Sequence, residues 1–308
     1  WLWKSCYNPK MPQKPFKKLR LIEGHESIIQ QYIHEELGEL QFAHSGMVNV
    51  SLPYRSQGSE FSRRSGPYSL NLTTRHPVGL RASSEGFLGA PEALEVPFGV
   101  LPRIILLALQ TKAIQSQSPD VNVQPSFSAF ARDLGLNTDG KTIKKLRAQM
   151  LNLALTSIEL EYFGKEKLSI YRGPIFSELH SNLQTNPNQS VLWPDQVRFS
   201  YDYFHSLQQH SVPLKLDAIR ALQNSPRNLD LYQFLAYRLH SLKRPIVIPW
   251  SALQNQFSDG RGSIDAFRKG MRRSIKDVLV LYPEAKIGSV RGGIKLYRSN
   301  PPVLKKYY

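Results

Sequence analysis

Between residues 261 and 298 the sequence sets ten basic residues against Asp265, Asp277 and Glu284. Arg268, Lys269, Arg272, Arg273 and Lys276 recur at one-, three- and four-residue intervals, and the longer intervals return a side chain to the same helical face. At about 100° per residue from Ile264, Phe267, Met271, Ile275 and Val278 fall within roughly 60° and read as core. Asp265, Lys269, Arg272 and Lys276 cluster about 80–140° away, with Arg273 beyond them and Arg268 at the margin. Such a stripe suits a polyanion, because guanidinium groups pair bidentately with phosphates and with the O6 and N7 edge of guanine. Arg272 and Arg268 are expected at base edges, and Lys269, Arg273 and Lys276 at phosphates. A solvated basic face has the same pattern in isolation. Here Arg261 and Ser263, a fitting N-cap, precede the stripe, and Arg291, Lys295 and Arg298 follow it in a hairpin pattern.

Catalytic patterns are weaker. The eight histidines include no His-x-His pair, and no Gly-x-x-x-x-Gly-Lys-Ser/Thr phosphate loop occurs. Tyr201, Tyr203 and His205 lie close together, yet Tyr203, Phe204 and Leu207 more simply pack a helix. Cys6, the single cysteine, excludes a disulfide framework or a thiolate zinc site within one chain, and fits the reducing cytoplasm. Neither an enzyme, a metal nor a cofactor is expected. No apolar run reaches the roughly 20 residues of a membrane span, and no secretory signal pattern is visible.

The elements that position the stripe follow from periodicity and punctuation. Leu229–Leu239, Trp250–Phe257 and Ser263–Leu281 read as three helices, with a short strand at Ile246–Ile248. Glu284–Ile287 and Ile294–Tyr297, either side of Arg291-Gly-Gly293, read as a hairpin wing. The same order occurs about 120 residues earlier. There, helices from Pro102, Ser126 and Asp139-Gly140 precede strands at Thr156–Phe163 and Leu168–Tyr171. Strands are also expected at Val48–Leu52 and Tyr68–Thr73, a short amphipathic helix over 21–40, an extended basic arm over 8–18, and a loop over 81–95. The expected fold is α+β, with two tandem winged-helix domains and an N-terminal extension. The divisions are 1–46, 47–194 and 195–308.

Charge distribution ranks the two domains. The 308 residues carry a net charge of +16, and the segments 1–97, 98–194 and 195–308 hold +2, +3 and +11 of it. The last third is expected to read duplex DNA, since a third helix enters the major groove in this architecture while the wing meets phosphates. In the first winged helix, Lys141, Lys144 and Lys145 stand near Asp133, Asp139, Glu159 and Glu161. Phosphate contact, or a protein interface along the edge of strand 158–162, is expected there.

Val96-Pro-Phe-Gly-Val-Leu-Pro-Arg-Ile-Ile-Leu106, Phe130-Ala-Arg-Asp-Leu-Gly-Leu136, Leu229–Leu239, Lys243-Arg-Pro-Ile-Val-Ile-Pro-Trp-Ser-Ala-Leu-Gln254 and Tyr282-Pro-Glu-Ala285 resemble, in order and spacing, the RepA-type plasmid replication initiators. The resemblance covers roughly 47–303 and implies binding to repeated origin sequences (iterons), opening of the adjacent duplex, and recruitment of a host initiator and replicative helicase. It also implies a homodimer through the first winged helix, with autorepression and copy control. The family's major-groove helix falls on Ser263 to Lys276. The alternative is a transcriptional repressor of the same fold with no direct replication role.

Overall fold

A computed structural model describes residues 40–75, 95–123, 126–164, 168–180, 196–260 and 262–303. Strand β1 (Leu40–His44) leads into a short helix α1 (Ser45–Asn49), then β2 (Glu60–Ser65) and β3 (Tyr68–Thr74). Three helices follow, α2 (Val100–Ser116), α3 (Phe127–Asp133) and α4 (Gly140–Ala154), with β4 (Asp120–Asn122) between the first two. Next come β5 (Thr156–Phe163), β6 (Leu168–Pro174), β7 (Phe176–His180) and β8 (Gln196–Phe199). The remainder comprises α5 (Tyr201–His210), β9 (Ser211–Lys215), α6 (Leu216–Leu222), α7 (Pro226–Arg238), β10 (Ile246–Pro249), α8 (Trp250–Phe257), α9 (Ile264–Leu281), β11 (Ile287–Val290) and β12 (Gly293–Leu296).

The fold is α+β with two tandem winged-helix units. In the first, α2, α3 and α4 precede the antiparallel hairpin β5–β6, which β3 and β2 extend to the order β2-β3-β5-β6. In the second, α7, α8 and α9 precede β11–β12, and β10 completes the order β10-β12-β11. Residues 196–215 pack on the first unit: β8 lies between β4 and β7, and β9 pairs with β1. One continuous apolar core runs from Val50 and Leu70 through Ile105 and Phe130 to Tyr232, Met271 and Leu296.

Caps set the helix starts. The hydroxyls of Ser126 and Ser263 accept from the amides of Ala129 and Ala266, each at 3.2 Å, and Asp139 accepts from Thr142 at 2.9 Å. Helix α2 follows Gly99, which takes φ +77°, and carries Pro102 in its first turn.

Four expectations are corrected. Residues 48–52 form no strand: the His44 imidazole accepts from the Gly46 amide at 3.1 Å and Asn49 donates to the Ser45 carbonyl at 3.0 Å, winding 45–49 into a helix. The first wing strand starts at Ile287 rather than Glu284. Tyr282 is buried beneath the preceding turn, where Ala285 donates back to its carbonyl at 3.1 Å. Strand β5 offers no free edge for a partner, because β3 and β6 pair with its two sides. Glu159, whose place in the alternating strand reads as an exposed and solvated carboxylate, instead accepts from Arg172 across the strands. The basic arm, the helix over 21–40 apart from Leu40 in β1, and the loop over 81–95 apart from Glu95 lie outside the described residues.

Candidate nucleic-acid interface

Helix α9 is seated by its apolar face. Phe267, Met271, Ser274, Ile275 and Val278 are buried, while Asp265, Lys269, Arg272, Arg273 and Lys276 are exposed. The arrangement predicted from spacing is thus present, and the buried face leaves the cations to solvent. Arg268 differs: it is half-buried, and its Nη1 donates to Asp265 Oδ1 at 2.9 Å. That contact draws on the fork that a bidentate base contact uses.

Arg272 is held from behind. Its guanidinium carbon lies 5.4 Å from the ring centroid of Trp250, a buried residue at the start of α8. Stacking on an aromatic face limits the rotamers of a long cation without neutralising it, so the guanidinium is presented with less entropy to lose on binding. The Trp250 amide donates to the Gly292 carbonyl at 3.0 Å, tying this support to the wing turn.

The wing brings Arg291, Lys295 and Arg298 to the same unit. Arg291 and Arg298 are exposed, and Lys295 Nζ lies 5.3 Å from the Tyr297 ring centroid. Gly292 takes φ +92°, as a tight hairpin turn requires. Ser263 caps α9, and Arg261 lies outside the described residues.

Arg227 was not singled out by sequence reasoning. From α7 it lies 5.5 Å over Phe267, and its Nε donates to the Phe257 carbonyl at 3.2 Å. A Cβ on Gly270 would stand 2.8 Å from its Nη1. Gly270 was the available signal, since a glycine inside a long helix costs about 1 kcal/mol relative to alanine and calls for a local reason.

In the first unit Lys141, Lys144 and Lys145 are exposed at the start of α4. The nearby acids have other work: Asp139 caps the helix, Glu159 holds Arg172, and Asp133 lies 3.9 Å from Lys112. Arg147 stacks at 4.8 Å on Phe127, and burial lowers its pKa. Tyr203 is fully buried, stacked on Phe199 and on His44, with its hydroxyl accepting from Gln110 at 2.7 Å. Among the described residues no cluster of three or more His, Cys, Asp or Glu side chains is arranged to hold a metal, and no helix is long and apolar enough to cross a membrane.

A family model described as plasmid encoded RepA protein matches residues 96–251, more than half of the chain, from the approach to α2 to the start of α8. No curated protein matches the sequence. A crystal structure of domains 2 and 3 of RctB, a selenomethionine derivative, shares the fold at a TM-score of 0.50 and 11% identity, covering 83% of this chain and 98% of that one. A second crystal structure of RctB domains 2–3 gives a TM-score of 0.46 at 13% identity, covering 78% and 83%.

Proposed function

This chain belongs to the plasmid-encoded RepA family, and from that premise we propose that it initiates plasmid replication by binding repeated sequences in the duplex DNA of its origin. The observation that carries this reading is the row of exposed cations on α9, with Arg272 braced on Trp250 and the basic wing alongside. The second unit reads base edges through α9, with Arg272 as the principal reader and Lys269, Arg273 and Lys276 on phosphates. Arg291, Lys295 and Arg298 add backbone contacts from the wing. The first unit contributes Lys141, Lys144 and Lys145 to phosphates.

Binding energy from both units strains the neighbouring A·T-rich duplex toward opening. Host initiator and replicative helicase join there, and the chemistry of unwinding belongs to them. The chain acts in the cytoplasm, needs no cofactor, and represses its own promoter as a dimer. Hydroxyl-radical footprinting on the plasmid's own repeats tests the reading. Protection of each repeat over about one to two helical turns is expected, and a minimal plasmid carrying only this gene and those repeats should be maintained. Uniform protection without regard to sequence, or loss of that plasmid, contradicts it.

A further inference from the structure

Two ion pairs join the winged-helix units through the interior. Arg63 of β2 meets Asp259, in the turn between α8 and α9, with side chains 3% and 6% exposed. Arg103 of α2 meets Asp230 of α7 in a bidentate pair, its Nε and Nη2 each 2.8 Å from a carboxylate oxygen. Each pair has its arginine in the first unit and its aspartate in the second.

Between them runs the segment 51–55, pinned through its backbone. Arg63 donates to the carbonyls of Ser51 and Leu52 at 2.9 and 3.2 Å, and across the units to those of Gln256 and Ser258 at 3.2 and 2.8 Å. Arg103 donates to the carbonyls of Leu52 and Pro53 at 2.7 and 3.1 Å. Asp259 accepts from the amides of Tyr54 and Arg55 at 3.0 and 3.1 Å. The Tyr54 ring fills the space between, 5.1 Å from one guanidinium carbon and 4.9 Å from the other.

Apolar packing alone would hold two domains together at lower desolvation cost, but it tolerates sliding. Buried charges are tolerated only when their hydrogen bonds are satisfied, which ties them to one geometry. Asp259 lies in the turn that feeds α9, so what fixes Asp259 fixes the launch of the reading helix.

We propose that Arg63, Asp259, Arg103, Asp230 and Tyr54 form an interdomain clasp that sets the angle and distance between α4 and α9, and hence the register in which the two units meet one duplex. The part concerning duplex register rests on the proposed function; the part concerning interdomain geometry does not. These are positioning residues: none is required to touch DNA. Opening the clasp leaves the α9 cations in place and removes the fixed spacing.

Two measurements on the full chain test this, with Cys6→Ser to free the labelling chemistry. Spin labels at the exposed positions Ser128 and Glu284 report the distance between units by pulsed dipolar spectroscopy without DNA. A single narrow distribution is expected, broadening at least twofold in Asp259→Asn. An unchanged narrow distribution in Asp259→Asn that still unfolds cooperatively overturns the clasp. If Asp259→Asn does not fold, Arg63→Lys, which keeps the charge and loses the fork, must show the same broadening, and a narrow distribution there overturns the proposal equally. Gel shifts on an origin repeat then read the register. Inserting a half-turn of DNA between the segments protected by the two units should weaken the clasped protein at least tenfold and Asp259→Asn less than threefold. Equal spacer dependence in both removes the register role. Absence of sequence-preferring DNA binding in the clasped protein would instead count against the proposed function, leaving the distance result to judge the clasp.

Discussion

At the residue scale, His44 is an imidazole given over to structure. It is fully buried, stacked on Tyr203, accepts from the Gly46 amide through Nδ1, and lies 3.0 Å from Ser206 Oγ through Nε2. Burial, reinforced by His210, lowers its pKa to about 3. The folded state therefore binds this proton less readily than the unfolded chain, whose histidine titrates near 6.5. The linked stability is complete above that value and falls as pH drops from about 6.5 towards 3. Between pH 7 and pH 5 the loss should be about 2 kcal/mol, since each pH unit in that window counts about 1.4 kcal/mol. Urea unfolding at the two pH values checks this, with His44→Gln expected to remove most of the difference. Equal pH dependence in both proteins contradicts the role given to the imidazole.

Arg63 and Arg103 teach the same lesson from the opposite side. In sequence an arginine inside an alternating strand, such as Glu60–Ser65, reads as a solvated position. Both are buried because their carboxylate partners stand about 130 to 200 residues away, a separation that no local pattern encodes. Removing one partner leaves an uncompensated buried charge, so Asp230→Asn should destabilise the protein by about 3–5 kcal/mol. Thermal unfolding decides: a change under about 1 kcal/mol would mean that the pair is not charged and paired as described.

At the scale of elements, what was local was readable. Helix α8 begins and ends where its apolar spacing does, and α9 follows the Ser263 cap. The expected hairpin β5–β6 is present because alternation and a polar turn specify it together. Misreadings arose where tertiary contacts override local preference. Residues 48–52 alternate like a strand, yet the buried His44 cap winds the chain at 45–49. The wing strand is displaced by three residues because Tyr282 donates to the Asn300 carbonyl at 2.6 Å and Ser299 accepts from the Lys286 amide at 2.9 Å, anchoring the turn.

The wing also holds a residue whose size matters more than its conformational freedom. Gly293 lies in β12 opposite Pro249, where a Cβ would stand 2.2 Å from the Ile248 carbonyl oxygen, a backbone atom that cannot swing away. Gly293→Ala should therefore force β10 and β12 apart and destabilise by about 1–3 kcal/mol, the usual range for overpacking. Because the Trp250 amide is bonded to neighbouring Gly292, the brace on Arg272 should loosen as well. A thermal midpoint within 1 °C of the parent would contradict the close approach.

At the scale of the whole molecule, the net charge of +16 is sorted by the fold. Lys269, Arg272, Arg273 and Lys276 of α9, with Arg291 and Arg298 of its wing, face outwards, whereas Arg63 and Arg103 lie inside at the joint between units. Sequence alone located the first group, because helical spacing reveals a face. It was silent on the second, and on how residues 196–215 return to pack on β1 and β4, because these depend on pairings distant in the chain.

The central claim is that α9 reads sequence while its neighbours supply charge, and titration of duplex repeats by gel shift at several salt concentrations tests it most directly. Arg272→Ala should bring affinity for the repeat down towards that for unrelated DNA, by about 1–3 kcal/mol. Lys276→Ala should weaken both duplexes alike and flatten the salt slope by about 1. An Arg272→Ala protein that keeps the parent's preference for the repeat at every salt concentration would contradict the account.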